Sequence, residues 1–174
     1  CQDNGVPVVQ SLHNYRLVCA NGLLLRDGKP CEDCLTGGVF NALKHRCYRN
    51  SLPATSALVW MQVSNRRSGA YVDNVNRYII PAKFPTPRLV KGGLPEYRLA
   101  VKPNFLPDPP VFSGAREDYV VFVGRLTAEK GVHTLIEAWK KIPDRKLKIV
   151  GDGEMRSSLE QIVNQHKMNV EFLG

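Results

Sequence analysis

YVVFVGRLTAEKG, residues 119–131, contains the strongest structural signal in the chain. Its first five residues are all β-branched or aromatic, and such a run favours a strand buried on both faces of a sheet. The run stops at Gly124, and apolar residues then recur at spacings of three and four, which predicts a helix that begins at Gly131. Arg125 and Lys130 lie in the connecting loop, beside the free N–H groups of the predicted helix start. Two cations at a helix N-terminus suit a phosphate group.

The same pattern recurs downstream of this helix. Residues 146–150, KLKIV, predict a second short strand, and Gly151, Asp152 and Gly153 predict a turn into another helix. Residues 170–173 begin a third strand. Strands and helices that alternate through short loops are typical of a parallel, doubly wound α/β sheet. Because such sheets bind ligands at the carboxyl ends of their strands, the loops after the first two strands form a candidate site.

Two short motifs in this region resemble those of a known family. G-R-L-x-x-E-K-G occupies residues 124–131, and V-G-x-G follows it at residues 150–153. At this distance the pair resembles the opening of the C-terminal domain of retaining glycosyltransferases of family 4, which are group 1 glycosyltransferases. That family has the GT-B fold of two Rossmann-like, parallel-sheet domains. The resemblance implies an enzyme that transfers a sugar from a nucleotide-diphosphate donor to an acceptor, with retention of the anomeric configuration.

The resemblance also implies roles for residues of the two loops. Arg125 and Lys130, with Gly124, would hold the donor diphosphate, while Gly151 and Gly153 would border the nucleotide. An Arg fork and a Lys point charge can stabilise the negative charge that develops on a leaving diphosphate. The loop therefore has a chemical reason to carry both cations.

Each of these assignments has a plain structural alternative. For the cations, the alternative is an ion pair of Glu129 with Arg125 or Lys130 at a helix start. For Gly151 and Gly153, it is a tight turn from strand to helix that requires a positive φ. The second alternative is compatible with a nucleotide nearby.

The N-terminal half opens with another strand signal. Residues 6–11, VPVVQS, predict a buried strand, and His13 follows at its carboxyl end. The S-L-H-N sequence of residues 11–14 resembles a T-x-H-D/N motif of the same family, which implies that His13 is a catalytic residue near the donor sugar and the acceptor. Its imidazole titrates near neutral pH and can handle a proton. The alternative is a histidine whose hydrogen bonds are satisfied by local backbone.

Four cysteines mark a glycine-rich segment in this half. Cys19, Cys31, Cys34 and Cys47 have the spacing C-x11-C-x2-C-x12-C. A structural zinc is the first interpretation, because four thiolates can hold a loop too rich in glycine to pack by itself. Disulfides are the second, although no secretion signal indicates an oxidising compartment. Free thiols are the third. A similar cysteine insert occurs in a bacterial subset of the resembling family, but that likeness does not decide whether the cysteines bind a metal.

Two helices are predicted after the first of these cysteines. Residues 39–49 form a basic amphipathic pattern, which suits either contact with an anionic membrane surface or a plain solvated helix. Residues 54–63 are apolar nearly all round, which predicts a buried helix with Trp60 and Met61 in the core. A strand is predicted at residues 78–82, although Pro81 departs from the family pattern and should end its pairing.

The motifs together predict parts of two domains. Residues 1–107 would be the C-terminal half of an N-terminal acceptor domain with a cysteine-rich insert at 17–50, and the passage LAVKPN resembles the family sequence that closes this domain. Residues 108–118 would be a proline-rich linker, and residues 119–174 the start of the donor domain. A first residue other than Met and a strand at the last residues lead us to expect a piece of a longer protein. The family's E-x7-E stretch is absent, so we expect the piece to be inactive alone.

Composition and charge agree with several kinds of anionic partner. The net charge is +8, which favours nucleotide phosphates, nucleic acid or an acidic membrane without choosing among them. The resemblance implies a UDP- or GDP-sugar donor, a glycan or lipid-linked acceptor, no cofactor for catalysis, and a cytoplasmic enzyme at the inner membrane face. The alternative is a basic, zinc-stapled module for nucleic acid, which lacks a stacking platform of interleaved aromatics. A dinucleotide-binding oxidoreductase is disfavoured because no G-x-G-x-x-G follows the strand that ends at Val123.

Overall fold

The chain divides into two compact units, each with its own parallel sheet. A computed structural model describes residues 4–109, 111, 114 and 117–174. The first unit is Cys1–Pro109 and the second is Pro110–Gly174. Helices and parallel strands alternate in both units, so the predicted α/β class is confirmed.

The first unit is built on a three-stranded parallel sheet in the order β1 (Val9–Ser11), β4 (Arg77–Ile80), β5 (Leu99–Val101). Ser11 of β1 pairs with Ile79 of β4, which in turn pairs with Ala100 of β5. Tyr78 and Ile80 of β4 are two residues apart, so they lie on the same face of the sheet, and both are fully buried. The elements are β1 (Val9–Ser11), β2 (Leu25–Arg26), β3 (Lys29–Pro30), α1 (Asp33–Thr36), α2 (Asn41–Lys44), α3 (Leu52–Arg67), β4 (Arg77–Ile80), α4 (Thr86–Lys91), a 3-10 turn (Glu96–Arg98) and β5 (Leu99–Val101).

The cysteine-rich segment forms a small subdomain on helix α3. Strands β2 and β3 pair as an antiparallel hairpin, and the short helices α1 and α2 follow it. Its buried core joins Ala20, Val39 and Ala42 to Val59 of α3, with Leu43 and Leu58 partly buried against it. The fully buried members are small or medium-sized, so this cluster contains little fully buried apolar volume.

The second unit repeats the strand–helix pattern on a sheet in the order β6 (Tyr119–Val123), β7 (Lys146–Val150), β8 (Val170–Phe172), with both pairings parallel. Phe122, Leu147 and Ile149 point to one face, where the apolar sides of both helices pack against them. This agrees with the prediction of strand, helix, strand, helix, strand. The elements are β6 (Tyr119–Val123), a 3-10 turn (Ala128–Lys130), α5 (Val132–Trp139), β7 (Lys146–Val150), α6 (Arg156–Gln165) and β8 (Val170–Phe172).

The prediction that strands β1 and β6 are buried is wrong. Val121 and Val123 of β6 are 51% and 72% exposed, and Val9 of β1 is 60% exposed. Strand β6 is at the edge of its sheet within the described residues, and α5 and α6 pack only on the face that carries Phe122. Strand β1 is likewise at an edge, and it is also shorter than predicted, beginning at Val9.

The prediction of Trp60 and Met61 in a helix core is also wrong. Helix α3 forms, but Trp60 is 73% exposed and Met61 is only half-buried. The buried positions are Thr55, Val59 and Gln62, at spacings of four and three. Because both faces of α3 carry apolar residues, periodicity alone could not identify which face turns inward.

The amphipathic helix predicted at residues 39–49 is much shorter in the structure. Only Asn41–Lys44 is helical, since Arg46 and Arg49 have φ values of 46° and 55°, which a right-handed helix cannot accommodate. Strand β4 ends at Ile80, immediately before Pro81, two residues earlier than predicted. In the described part of the chain, no helix combines the length and apolar character needed to cross a bilayer.

Candidate functional site

The loops after β6 and β7 are tied together by backbone hydrogen bonds. Gly124 N–H donates to the carbonyl of Val150 at 3.0 Å, and Leu126 N–H donates to the carbonyl of Asp152 at 2.9 Å. Leu126 is fully buried in the core of the second unit, which anchors the first loop. The two glycine loops that the motifs identified therefore form one structure at the carboxyl ends of adjacent strands.

Two glycines make this close approach possible. Gly151 has a φ of +137°, and a Cβ atom there would overlap the carbonyl oxygen of Gly124. A Cβ atom on Gly153 would lie 2.5 Å from the carbonyl oxygen of Leu126. Both positions thus have a structural need for glycine. Contact of Gly151 and Gly153 with a nucleotide remains a prediction.

The two cations of the first loop extend into solvent. The Arg125 side chain is 74% exposed, and its Nη2 atom lies 3.5 Å from Glu129 Oε1. Lys130 is exposed and has no ion pair within the part of the chain that the structure describes. The structural alternative is thus realised for Arg125, but an exposed pair contributes only about 0–1 kcal/mol. A doubly charged anion can therefore compete with Glu129 for the guanidinium.

Glu129 is ionised at neutral pH. Its carboxylate accepts a hydrogen bond from its own backbone N–H, which lowers its pKa, and the charges of Arg125 and Lys130 lower it further. Glu129 therefore holds Arg125 near the loop in the absence of ligand. The ion pair with Glu129 thus orients the Arg125 guanidinium and still leaves it accessible to an anion.

Helix α5 begins directly after this loop. Gly131 is its N-cap in a left-handed conformation, with a φ of 69°, and no side chain caps the helix. The first N–H groups of a helix have no partner within it, so the start of α5 presents positive partial charge beside Lys130. The structure thus brings Gly124, Arg125, Lys130, Gly151 and Gly153 into one pair of loops.

His13 lies in the first unit, in a separate cleft. The cleft has a volume of about 390 Å³ and is lined by residues at the carboxyl ends of β1, β4 and β5, including His13, Pro81, Lys102 and Asn104. The His13 side chain is exposed, and no hydrogen bond from the described residues reaches its ring. The alternative of a histidine satisfied by local backbone therefore finds no support. Its catalytic role remains a prediction.

The cleft contains polar residues that the sequence did not single out. Lys102 and Asn104 follow β5, and Lys102 Nζ lies 5.0 Å from the centroid of the Phe105 ring. Ligands bind at the carboxyl ends of parallel strands, and this rule applies to β5 as well as to β1. The LAVKPN passage contains the end of β5 and the polar residues that follow it. A cation, an amide and an aromatic ring beside His13 suit a polar ligand.

The four cysteines of the insert face one small cavity. Cys19, Cys31, Cys34 and Cys47, hereafter the cysteine cluster, line a cavity of about 10 Å³. All four are free, so the disulfide interpretation is not realised in the structure. Burial, followed by the nearness of the other three sulfurs, raises the pKa of Cys34 to about 11. Among the described residues, no three His, Cys, Asp or Glu side chains already stand in a metal-binding arrangement.

One solved structure, that of TarM, indicates the class of fold. TarM from S. aureus, as a mutant in complex with fondaparinux, alpha-GlcNAc-glycerol and UDP, matches with a TM-score of 0.50 and 16% identity, over 64% of this chain and 24% of that chain. The lipopolysaccharide outer core galactosyltransferase WaaB in its apo form matches with a TM-score of 0.46 and 20% identity, over 57% of this chain and 30% of that chain. At 16% identity the likeness to TarM concerns the fold alone, and that fold is the GT-B α/β class predicted from the motifs.

Sequence comparisons of the second unit find glycosyltransferases. Residues 110–174 match the model of the family described as Glycosyl transferases group 1. Over 65 residues the chain is 48% identical to Uncharacterized glycosyltransferase MJ1607 of Methanocaldococcus jannaschii, a match covering 33% of this chain and 16% of that protein. It is 39% identical over 66 residues to Uncharacterized glycosyltransferase MJ1059 of the same organism, again covering 33% and 16%. The chain thus spans a small part of these curated relatives, and residues 110–174 are similar to a group 1 glycosyltransferase domain.

Proposed function

We propose that this chain is part of a retaining glycosyltransferase of family 4, which transfers a sugar from a nucleoside diphosphate to a glycan or lipid-linked acceptor. The observation that carries the proposal is the group 1 match over residues 110–174, because this match contains the loop that presents Arg125 and Lys130. Both curated relatives that match the second unit are named as glycosyltransferases, which favours this function over the nucleic-acid alternative.

The donor diphosphate binds at the loop between β6 and α5 in this proposal. Breaking the sugar–phosphate bond places negative charge on the leaving diphosphate, and Arg125 and Lys130 stabilise that charge as it develops. The Gly124 N–H already donates to Val150, so Gly124 contributes close approach rather than a hydrogen bond. Removing either cation should cost about 2–4 kcal/mol of transition-state stabilisation.

The acceptor binds in the cleft of the first unit. His13 has no hydrogen-bond partner among the described residues, which leaves its ring available to a sugar hydroxyl. Lys102 and Asn104 supply further polar contacts at the same strand ends. The first unit is then the acceptor domain and the second the donor domain, with the insert at residues 17–50 attached to the former.

We also propose a cytoplasmic enzyme that contacts an anionic membrane surface. Four unpaired thiols suit a reducing compartment. The apolar side of residues 39–49 packs into the insert's own core through Val39 and Ala42, so these two side chains are not accessible to lipid. What supports membrane contact is the exposed Phe40 beside exposed Lys44 and Arg46.

Sugar transfer by the full-length protein tests the proposal. Incubation with a panel of UDP- and GDP-sugars should release UDP or GDP, and proton NMR of the first-formed product should show the anomeric configuration of the donor. His13→Gln should reduce kcat about 100-fold, as expected for loss of a proton-handling group. The matched control is His166→Gln, because His166 is exposed and lies at the end of α6. An inverted product would contradict the retaining mechanism, and a folded protein that releases neither nucleotide would contradict the function.

A further inference from the structure

The cysteine cluster gathers residues that are distant in sequence. Cys19 precedes the β2–β3 hairpin, Cys31 and Cys34 follow it, and Cys47 comes after α2. The fold nevertheless directs all four to a single cavity of about 10 Å³, which is roughly the space of one water molecule. The convergence of four thiols on one cavity indicates that they share a role.

A cation suits the surroundings of this cavity. Cys19 Sγ donates a hydrogen bond to Asn21 Oδ1 at 3.0 Å, and Cys31 interacts with the carboxylate of Asp33. Arg26 and Asp33 also line the cavity, and Arg26 Nη1 donates to Asp33 Oδ2 at 2.6 Å. Four thiolates around one divalent cation carry a net charge of −2, and the Arg26 guanidinium offsets part of that charge.

The insert also lacks other means of holding its shape. The buried core that it shares with α3 consists of only Ala20, Val39, Ala42 and Val59, and its regular elements are two to four residues long. Five of the six non-glycine residues with positive φ in the described chain fall within it or at its end, which is strain that the surrounding structure must sustain. These residues are Leu24, Asp27, Arg46, Arg49 and Asn50. Small, loop-rich segments of this kind are commonly stabilised by a structural metal.

We propose that the cysteine cluster binds one structural zinc ion. Zn²⁺ prefers four sulfur ligands in a closed tetrahedral site, and the spacing contains the C-x2-C pair that such sites use. Binding forms four zinc–sulfur bonds and releases the four thiol protons to solvent. The sulfurs do not yet stand at ligand separations. Bonds of about 2.3 Å would draw the four side chains inward onto the cavity that they already share.

The metal would steady the backbone that follows His13. Cys19 N–H donates to the carbonyl of Tyr15 at 2.8 Å, and Tyr15 N–H donates to the carbonyl of Gly22 at 2.9 Å. The turn that contains the first zinc ligand is thus closed directly onto the residues after His13. The zinc is a structural element next to the acceptor cleft and takes no part in the reaction.

Metal analysis of the full-length protein, purified without chelator, tests this proposal. We expect one zinc per chain, and replacement by Co²⁺ should give the d–d absorption of a tetrahedral tetrathiolate site. A strong chelator should lower Tm by about 10 °C. Cys34→Ser should lose the zinc, whereas Cys1→Ser should keep it, because Cys1 is the remaining cysteine of the sequence and is not one of the four proposed ligands.

The measurements on wild-type protein decide the matter even if Cys34→Ser does not fold. A wild type that contains no zinc and gives no tetrahedral Co²⁺ spectrum would overturn the proposal. Iron in place of zinc, a disulfide between members of the cluster, or loss of zinc in Cys1→Ser would overturn it equally.

Discussion

Gly151 lies where the two candidate donor loops pack against each other. Its φ of +137° is rare for a residue with a side chain, and the carbonyl of Gly124 occupies the place of a Cβ atom. The Gly124 N–H donates a hydrogen bond to the carbonyl of Val150, which holds the Gly124 backbone in place. The position therefore combines backbone strain with a backbone clash.

Gly151→Ala should destabilise the protein by about 2–4 kcal/mol, because neither the φ value nor the contact with Gly124 can relax cheaply. Urea denaturation monitored by circular dichroism measures this loss. Gly114→Ala is the control, since a Cβ atom there meets nothing within 4 Å and its φ is not left-handed. A Gly151→Ala variant as stable as Gly114→Ala would contradict the packing of the two loops.

Sequence reasoning worked at this scale where one rule connects residue type to position. Glycines and cations directly after a strand predicted the loops, because the carboxyl ends of parallel strands share one edge of a sheet. The same reasoning did not single out Lys102 and Asn104, because β5 is only three residues long and its strand signal is weak. It also could not tell that Glu129 would pair with Arg125 rather than Lys130, which depends on side-chain rotamers in the folded loop.

Helix α3 shows what periodicity can and cannot predict for an element. Its existence followed from the sequence, but its buried face did not, because the exposed side also carries apolar residues. The buried side instead includes Gln62, whose Nε2 donates to the carbonyl of Arg16 at 2.6 Å. A tertiary hydrogen bond of this kind leaves no signal in a hydrophobic pattern. Burial of β6 was misjudged for a related reason, since coverage of a strand depends on which helices pack beside it.

Val59→Ala and Trp60→Ala form a matched pair on this helix. Val59 is buried in the core of the insert, so its truncation should cost about 1.5–3 kcal/mol through lost burial and a small cavity. Trp60 is 73% exposed, so its replacement by a good helix former should change stability by less than about 0.5 kcal/mol. Chemical denaturation of both variants measures the difference. A larger loss for Trp60→Ala than for Val59→Ala would show that the helix is rotated relative to the structure.

The whole molecule combines two α/β units whose sheets end in different candidate sites. The motifs predicted parallel sheets in both halves, and the structure has them. The division between Pro109 and Pro110 falls in the proline-rich stretch, where few long-range contacts would be expected. The sugar, the nucleotide base and the acceptor depend on contacts that no motif in these 174 residues specifies.

Calorimetric titration of UDP and GDP into the full-length protein tests the central claim, that the Arg125–Lys130 loop binds the diphosphate of a sugar donor. One of the two nucleotides should bind with a micromolar Kd, and Arg125→Ala and Lys130→Ala should each weaken that binding tenfold or more, since a charge-assisted contact contributes about 1.5–3 kcal/mol. Lys141→Ala, which removes an exposed lysine after α5, should leave it unchanged. Binding unaltered in both loop variants, or absent for both nucleotides in the wild type, would contradict the claim and leave the loop as a helix start with an ion pair.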